Sequence, residues 1–96
     1  MYLDDLLREK REDILRLAKE YGAYNVRVFG SVARGEADEN SDIDFLVDME
    51  KGRTLFDLGG LLMDLQEILN CKVDVATEKI LRERIRDSVL KDAVPL

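Results

Sequence analysis

Three short runs rich in β-branched and aromatic residues constrain this chain most: Asn25–Phe29, Ile43–Val47 and Lys72–Ala76. Each has the length and composition of a strand and is followed by turn-forming or helix-capping residues. The first ends at Gly30, the second is closed by Lys51-Gly52-Arg53, and the third runs into Thr77. Three such strands cannot bury a face alone, so the segments between them have to supply the covering layer.

Those segments read as helices. From Leu3 to Tyr21 apolar residues fall at Leu3, Leu6, Leu7, Ile14, Leu17, Ala18 and Tyr21 with charges between, the pattern of an amphipathic helix that Gly22 stops. Leu55, Leu58, Leu61, Leu62, Leu65, Ile68 and Leu69 mark a second helix over 55–69, capped by Thr54. It carries Gly59-Gly60 at a cost in helix propensity, which suggests close packing. A last helix is expected from about Glu78, with Thr77 as its cap, Leu81, Ile85 and Val89 on one face, and Pro95 beyond its end. Residues 31–35 suit a single helical turn with Ser31 as N-cap, and 36–41 an exposed loop. The order helix, strand, turn, strand, helix, strand, helix predicts one α/β (α+β) domain over 1–96. It has a small mixed β-sheet of three or more strands and helices packed mainly on one face.

Composition then removes function classes. The chain has 96 residues, 46% hydrophobic and 38% charged, enough for one modest core and no second lobe. An exposed apolar helix face is therefore expected, as a cue for homo- or hetero-oligomerisation. A net charge of −6 argues against direct nucleic-acid binding. Much of the acid is expected to solvate helices in i,i+4 pairs: Asp4/Arg8, Glu12/Arg16, Glu78/Arg82 and Asp87/Lys91. There is no histidine, which excludes a Ser-His-Asp triad, a Cys-His pair and any His-ligated metal. Cys71 is the only cysteine and reads as a small core residue without catalytic role. With no apolar run near the ~20 residues of a membrane span, a cytoplasmic location is expected.

The chemistry is left to carboxylates and hydroxyls. On a strand alternate side chains share a face, so Asp42 and Asp44 project together, their Cα atoms roughly 7 Å apart. Two carboxylates so placed repel unless a cation lies between them, and an all-oxygen set favours a hard ion such as Mg²⁺. Asp74, flanked by Val73 and Val75 on the third strand, is a candidate third ligand. Three converging acids can hold two ions, one activating an attacking oxygen and one neutralising a leaving pyrophosphate. Upstream, Gly30 lets the backbone approach a phosphate, with the following N–H groups and the Ser31 hydroxyl aimed at it. Arg34 either adds positive charge to a triphosphate or faces solvent.

Taken singly these features are bland. Among twelve aspartates a D-x-D pair arises easily by chance, a Gly-Ser after a strand is usually only a turn, and Asp74 alone could guard a sheet edge. Their conjunction, in order at strand ends, is harder to dismiss.

Gly30-Ser31, Ala33-Arg34-Gly35 and Ser41-Asp42-Ile43-Asp44 resemble the G-S-x10-D-x-D signature of the polymerase-beta-like nucleotidyltransferases. The short length and the wording of residues 30–47 look like the minimal nucleotidyltransferases, and the resemblance covers almost the whole chain. It implies that Gly30 and Ser31 bind NTP phosphates, that Asp42 and Asp44 ligate Mg²⁺, and that Asp74 helps activate the acceptor hydroxyl. It further implies ATP as donor, and as acceptor a tyrosine of a partner HEPN-domain ribonuclease toxin that AMP transfer silences. Two other readings stand beside it: an antitoxin that only binds and masks the toxin, and a nucleotidyltransferase acting on a small molecule.

Overall fold

A computed structural model describes residues 2–30, 32–35, 42–81 and 89–96. Helix α1 spans Tyr2–Glu20 and buries Leu7, Ile14 and Ala18, the face set by its apolar spacing. Gly22, with φ +77, turns the chain out of it, and the Gly22 N–H donates to the Lys19 carbonyl at 3.1 Å. Strand β1 spans Ala23–Phe29 and β2 Ile43–Met49, both longer than the sequence pattern suggested.

Helix α2 spans Leu55–Leu69, and its start has a reciprocal cap. The Thr54 side chain accepts from the Phe56 N–H at 3.2 Å, and Asp57 accepts from the Thr54 N–H at 2.9 Å. Asn70, in the left-handed region at φ 52, ends the helix. Strand β3 spans Val73–Ala76, and β4 is the two-residue strand Val94–Pro95.

The sheet has four strands in the order β3-β2-β1-β4, with β1 antiparallel to β2 and β4, and β2 parallel to β3. This is the mixed sheet expected from the sequence, with one strand more. The parallel pair needs a crossover connection, which α2 provides. Strand β4 was read only as a tail past the last helix. Pro95 fits there because the Leu96 N–H, not its own position, donates to Val26 O at 3.0 Å, so its missing N–H lies on the open side.

Helices α1 and α2 cover one face. Ile43, Phe45 and Val47 of β2, Val28 of β1 and Val73 and Val75 of β3 meet Ile14, Leu61 and Leu65 in a single core. Burial of each large aliphatic or aromatic side chain contributes about 1.5–3 kcal/mol. The two helices meet closely at Gly60, where an added Cβ would lie 2.6 Å from Tyr21 Cε1, while Gly59 has no neighbour within 4 Å. The expected close packing thus belongs to Gly60 alone, and the Tyr21 hydroxyl is fixed by donating to Asp64 at 2.5 Å.

On the opposite face Leu46 and Ala76 are buried, as is Val89 of the helical stretch 89–92. Thr77 caps the turn after β3 as expected, its Oγ1 accepting from the Ile80 N–H at 3.3 Å. The last helix is described only at 89–92, and Ile85, Arg82 and Asp87 lie outside the described residues.

Other expectations are corrected. Arg16 pairs with Asp13, at i,i+3, rather than with Glu12 at i,i+4. Arg8 pairs with Asp5 at 3.8 Å, and the expected partner Asp4 has its side chain outside the described residues. Strand β1 is not regular: Asn25 has φ 50 and the register to β2 shifts between Tyr24 and Arg27, a bulge. Asn25 and Arg27 both donate side-chain hydrogen bonds to Asp48, at 2.9 and 3.0 Å, which hold that bulge. Exposed apolar side chains do occur, led by Leu55 and Phe56 at the start of α2. Among the described residues no helix is long and apolar enough to cross a membrane.

Candidate active site

Strand register brings the sequence-predicted residues to one end of the sheet. Phe29, the last residue of β1, pairs with Asp44, and Asp44 pairs with Asp74 of β3. Paired residues on neighbouring strands share a face, so Asp44 and Asp74 are side by side on the face away from α1 and α2. Asp42 immediately precedes β2, and the ladder continues to its edge through the Ile43 N–H, which donates to Lys72 O at 3.1 Å. Asp42 and Asp74 are exposed while Asp44 is half-buried between them. Asp74 is also on an edge strand, so the bland reading of it as an exposed edge acid is compatible with the same position.

Gly30 is required twice over. Its φ of +75 lies in the left-handed region that residues with a Cβ rarely adopt. A Cβ there would also collide with the Asp44 Oδ2 atom and come within 3.3 Å of its Cγ. The backbone of Gly30 and the carboxylate of Asp44 are thus in direct apposition, across the strand pair that the sequence reading had linked only by spacing.

After Gly30 the chain makes a short turn. The Arg34 N–H donates to Gly30 O and the Gly35 N–H to Val32 O, each at 3.1 Å, and Val32 anchors the turn by packing into the core. That agrees with the single helical turn expected over 31–35. Ser31 itself and the loop 36–41 lie outside the described residues.

The acids act on one another. Burial, Asp74 and Asp42 together push the Asp44 carboxyl up from 3.8 to about 6, and only Arg34 works in the other direction. The Cys71 thiol is pushed up by partial burial and by Asp42. Among the described residues no three acids are gathered closely enough to hold an ion between them. Like charges resist such approach without a cation. The donor set nevertheless fits one: three carboxylates, no nitrogen or sulfur ligand, and a half-buried Asp44 whose charge its neighbours oppose.

The sequence reading attached no role to Asp92. Its Oδ2 atom lies 3.6 Å from Arg34 Nη1, tying the turn after β1 to the C-terminal helical stretch. No local pattern signals a pair 58 residues apart in sequence. The clefts of about 440 and 650 Å³ that the described residues line do not include Asp42, Asp44 or Asp74, so side-chain chemistry rather than cavity size identifies this site.

Comparison with known proteins shows the family. Residues 7–96 match a family profile described as the nucleotidyltransferase domain. The chain is similar to protein adenylyltransferase MntA of Thermococcus cleftensis, 36% identical over 94 residues covering 93% of this chain and 95% of that protein. A solved structure described as a minimal nucleotidyltransferase is 50% identical, with a TM-score of 0.86 over 96% of this chain and 94% of that one. A toxin–antitoxin crystal structure with AMP-PNP shares the fold at 21% identity, with a TM-score of 0.75 over 88% of this chain and 69% of that one.

Proposed function

The chain belongs to the nucleotidyltransferase domain family, and we propose that it is the antitoxin type: a protein adenylyltransferase that moves AMP from ATP to a tyrosine hydroxyl of a HEPN-domain toxin. The observation that carries this reading is the placing of Asp44 against Gly30 on one side and beside Asp74 on the other. A glycine backbone without a side chain and a row of acids at one sheet end, with the Arg34 guanidinium acting on Asp44, support a site for a phosphate and its cation. The protein acceptor, its HEPN class and ATP as donor come from likeness to minimal nucleotidyltransferases and to MntA.

Asp42, Asp44 and Asp74 would hold Mg²⁺, two ions when all three contribute, which supplies positive charge to the triphosphate and its leaving pyrophosphate. Gly30 keeps its own position clear for the phosphates, and Ser31, outside the described residues, is carried over from the family resemblance as a phosphate ligand. Asp74, exposed at the sheet edge, would take the proton of the acceptor hydroxyl, a role carried over from the family resemblance. The acceptor oxygen then bonds to the α-phosphorus as the bond to pyrophosphate breaks, leaving AMP on the tyrosine. The setting is read as cytoplasmic, where ATP is held.

Incubation with toxin, Mg²⁺ and ATP labelled at the α-phosphate tests this. Label should appear on a toxin tyrosine and be lost in Asp42→Asn. Neutralisation of the toxin by Asp42→Asn, without label transfer, would establish masking instead, and label on a small molecule alone would change the acceptor class.

A further inference from the structure

Arg34 leaves the turn one step beyond the backbone that abuts Asp44, since its N–H donates to Gly30 O at 3.1 Å. Its guanidinium is the cation that favours the Asp44 carboxylate, and it is paired with Asp92 at 3.6 Å. Asp92 stands on a fixed backbone. Buried Val89 precedes it, the Ala93 N–H donates to Val89 O at 2.8 Å, and β4 follows at once, paired to β1 through Val28 and Val94. Strand β1 therefore sets both partners, Arg34 through its end at Phe29 and Asp92 through its neighbour β4.

We propose that Asp92 is a positioning residue that holds the Arg34 guanidinium beside the acids, where it meets the phosphates of ATP. The inference rests on the nucleotide-transfer reading above. A long side chain on an exposed turn that gives up an ion pair samples more rotamers, and ordering it on binding costs affinity. Paired with Asp92, the guanidinium keeps its planar fork of donors ordered on this side of the turn. Arg34 is 45% exposed and Asp92 33%, so the pair contributes little to folding by itself. Its effect belongs on nucleotide affinity.

A double-mutant cycle read by calorimetric titration with MgATP decides it. Asp92→Asn should weaken ATP about threefold to fivefold, the scale of a half-exposed ion pair. Arg34→Gln should weaken it more, and the double variant no further than Arg34→Gln alone. Asp92→Glu should restore most of the affinity. In the transfer assay the KM for ATP should rise with kcat unchanged, and the Tm of each variant should stay near the wild type. Additive losses, unchanged or tighter ATP binding by Asp92→Asn, or a lower Tm without loss of affinity would overturn the proposal. A wild type that binds ATP yet transfers no label would refute the adenylyltransferase reading, while the coupling between positions 34 and 92 would still decide this one.

Discussion

Replacing Asp44 by Asn removes a charge that the fold opposes. Raising a carboxyl from 3.8 to about 6 corresponds to about 3 kcal/mol, at about 1.4 kcal/mol for each tenfold change in proton affinity. Asp44 keeps part of its surface in water, so screening reduces this, and we expect about 1–2 kcal/mol. The sign follows from linkage. The folded chain holds the Asp44 proton more tightly than the unfolded chain, so the stability due to protonation is present below about 3.8 and lost as pH rises through about 6. Asp44→Asn should therefore raise the Tm of the metal-free protein by roughly 5–10 °C at about pH 7.5, with the gain falling to a few tenths of a kcal/mol near pH 4. Differential scanning calorimetry in EDTA at both pH values measures it. Adding Mg²⁺ at about ten times its Kd should stabilise the wild type by about 1.4 kcal/mol and the variant by much less. An equal gain at the two pH values, or a loss near neutrality, would refute an Asp44 charge opposed by burial and by Asp74 and Asp42.

Gly30→Ala should lower the transfer rate at least about tenfold, because the left-handed backbone and the Asp44 carboxylate both exclude a methyl group, with strain of roughly 1–2 kcal/mol visible in Tm. The adjacent glycines of α2 should respond in opposite directions. Gly59→Ala, with open space around it, should stabilise by up to ~1 kcal/mol, while Gly60→Ala, facing the pinned Tyr21 ring, should destabilise by about 1–3 kcal/mol in urea unfolding. Phe56→Ser, at 92% exposure, should leave urea stability within about 0.5 kcal/mol of the wild type.

What could be read from sequence followed local rules. Helix α2 was placed at its observed bounds because Thr54 and the leucine spacing state them within a few residues of each other. The meeting of Gly30 with Asp44 was only implicit, since spacing puts both at strand ends and only the antiparallel pairing makes them touch. Strand β4 was not legible, because two residues carry no alternation and their place is set by hydrogen bonds to β1. The bulge at Asn25 looked like the start of a regular strand, because a positive φ leaves little trace in an Asn-Val pair. Arg16 pairs with Asp13 instead of Glu12 for a related reason. The i,i+3 and i,i+4 positions are both neighbours on a helix, so in an acid-rich helix Arg16 has candidates at Glu12 and Asp13.

The register Phe29↔Asp44 has a bearing on how the site comes into being. Gly30 follows β1 directly, Asp42 precedes β2 directly and Asp44 lies within it, and the antiparallel pairing of these strands closes a short stretch of chain. Asp74 joins them only through the parallel pairing of β3, on the far side of α2. Short closures carry the smaller entropic penalty and form sooner. The meeting of Gly30 with Asp44 can thus be assembled while Asp74 is still absent. On this order of events, competence for transfer arrives with the last crossover and marks the chain as fully folded.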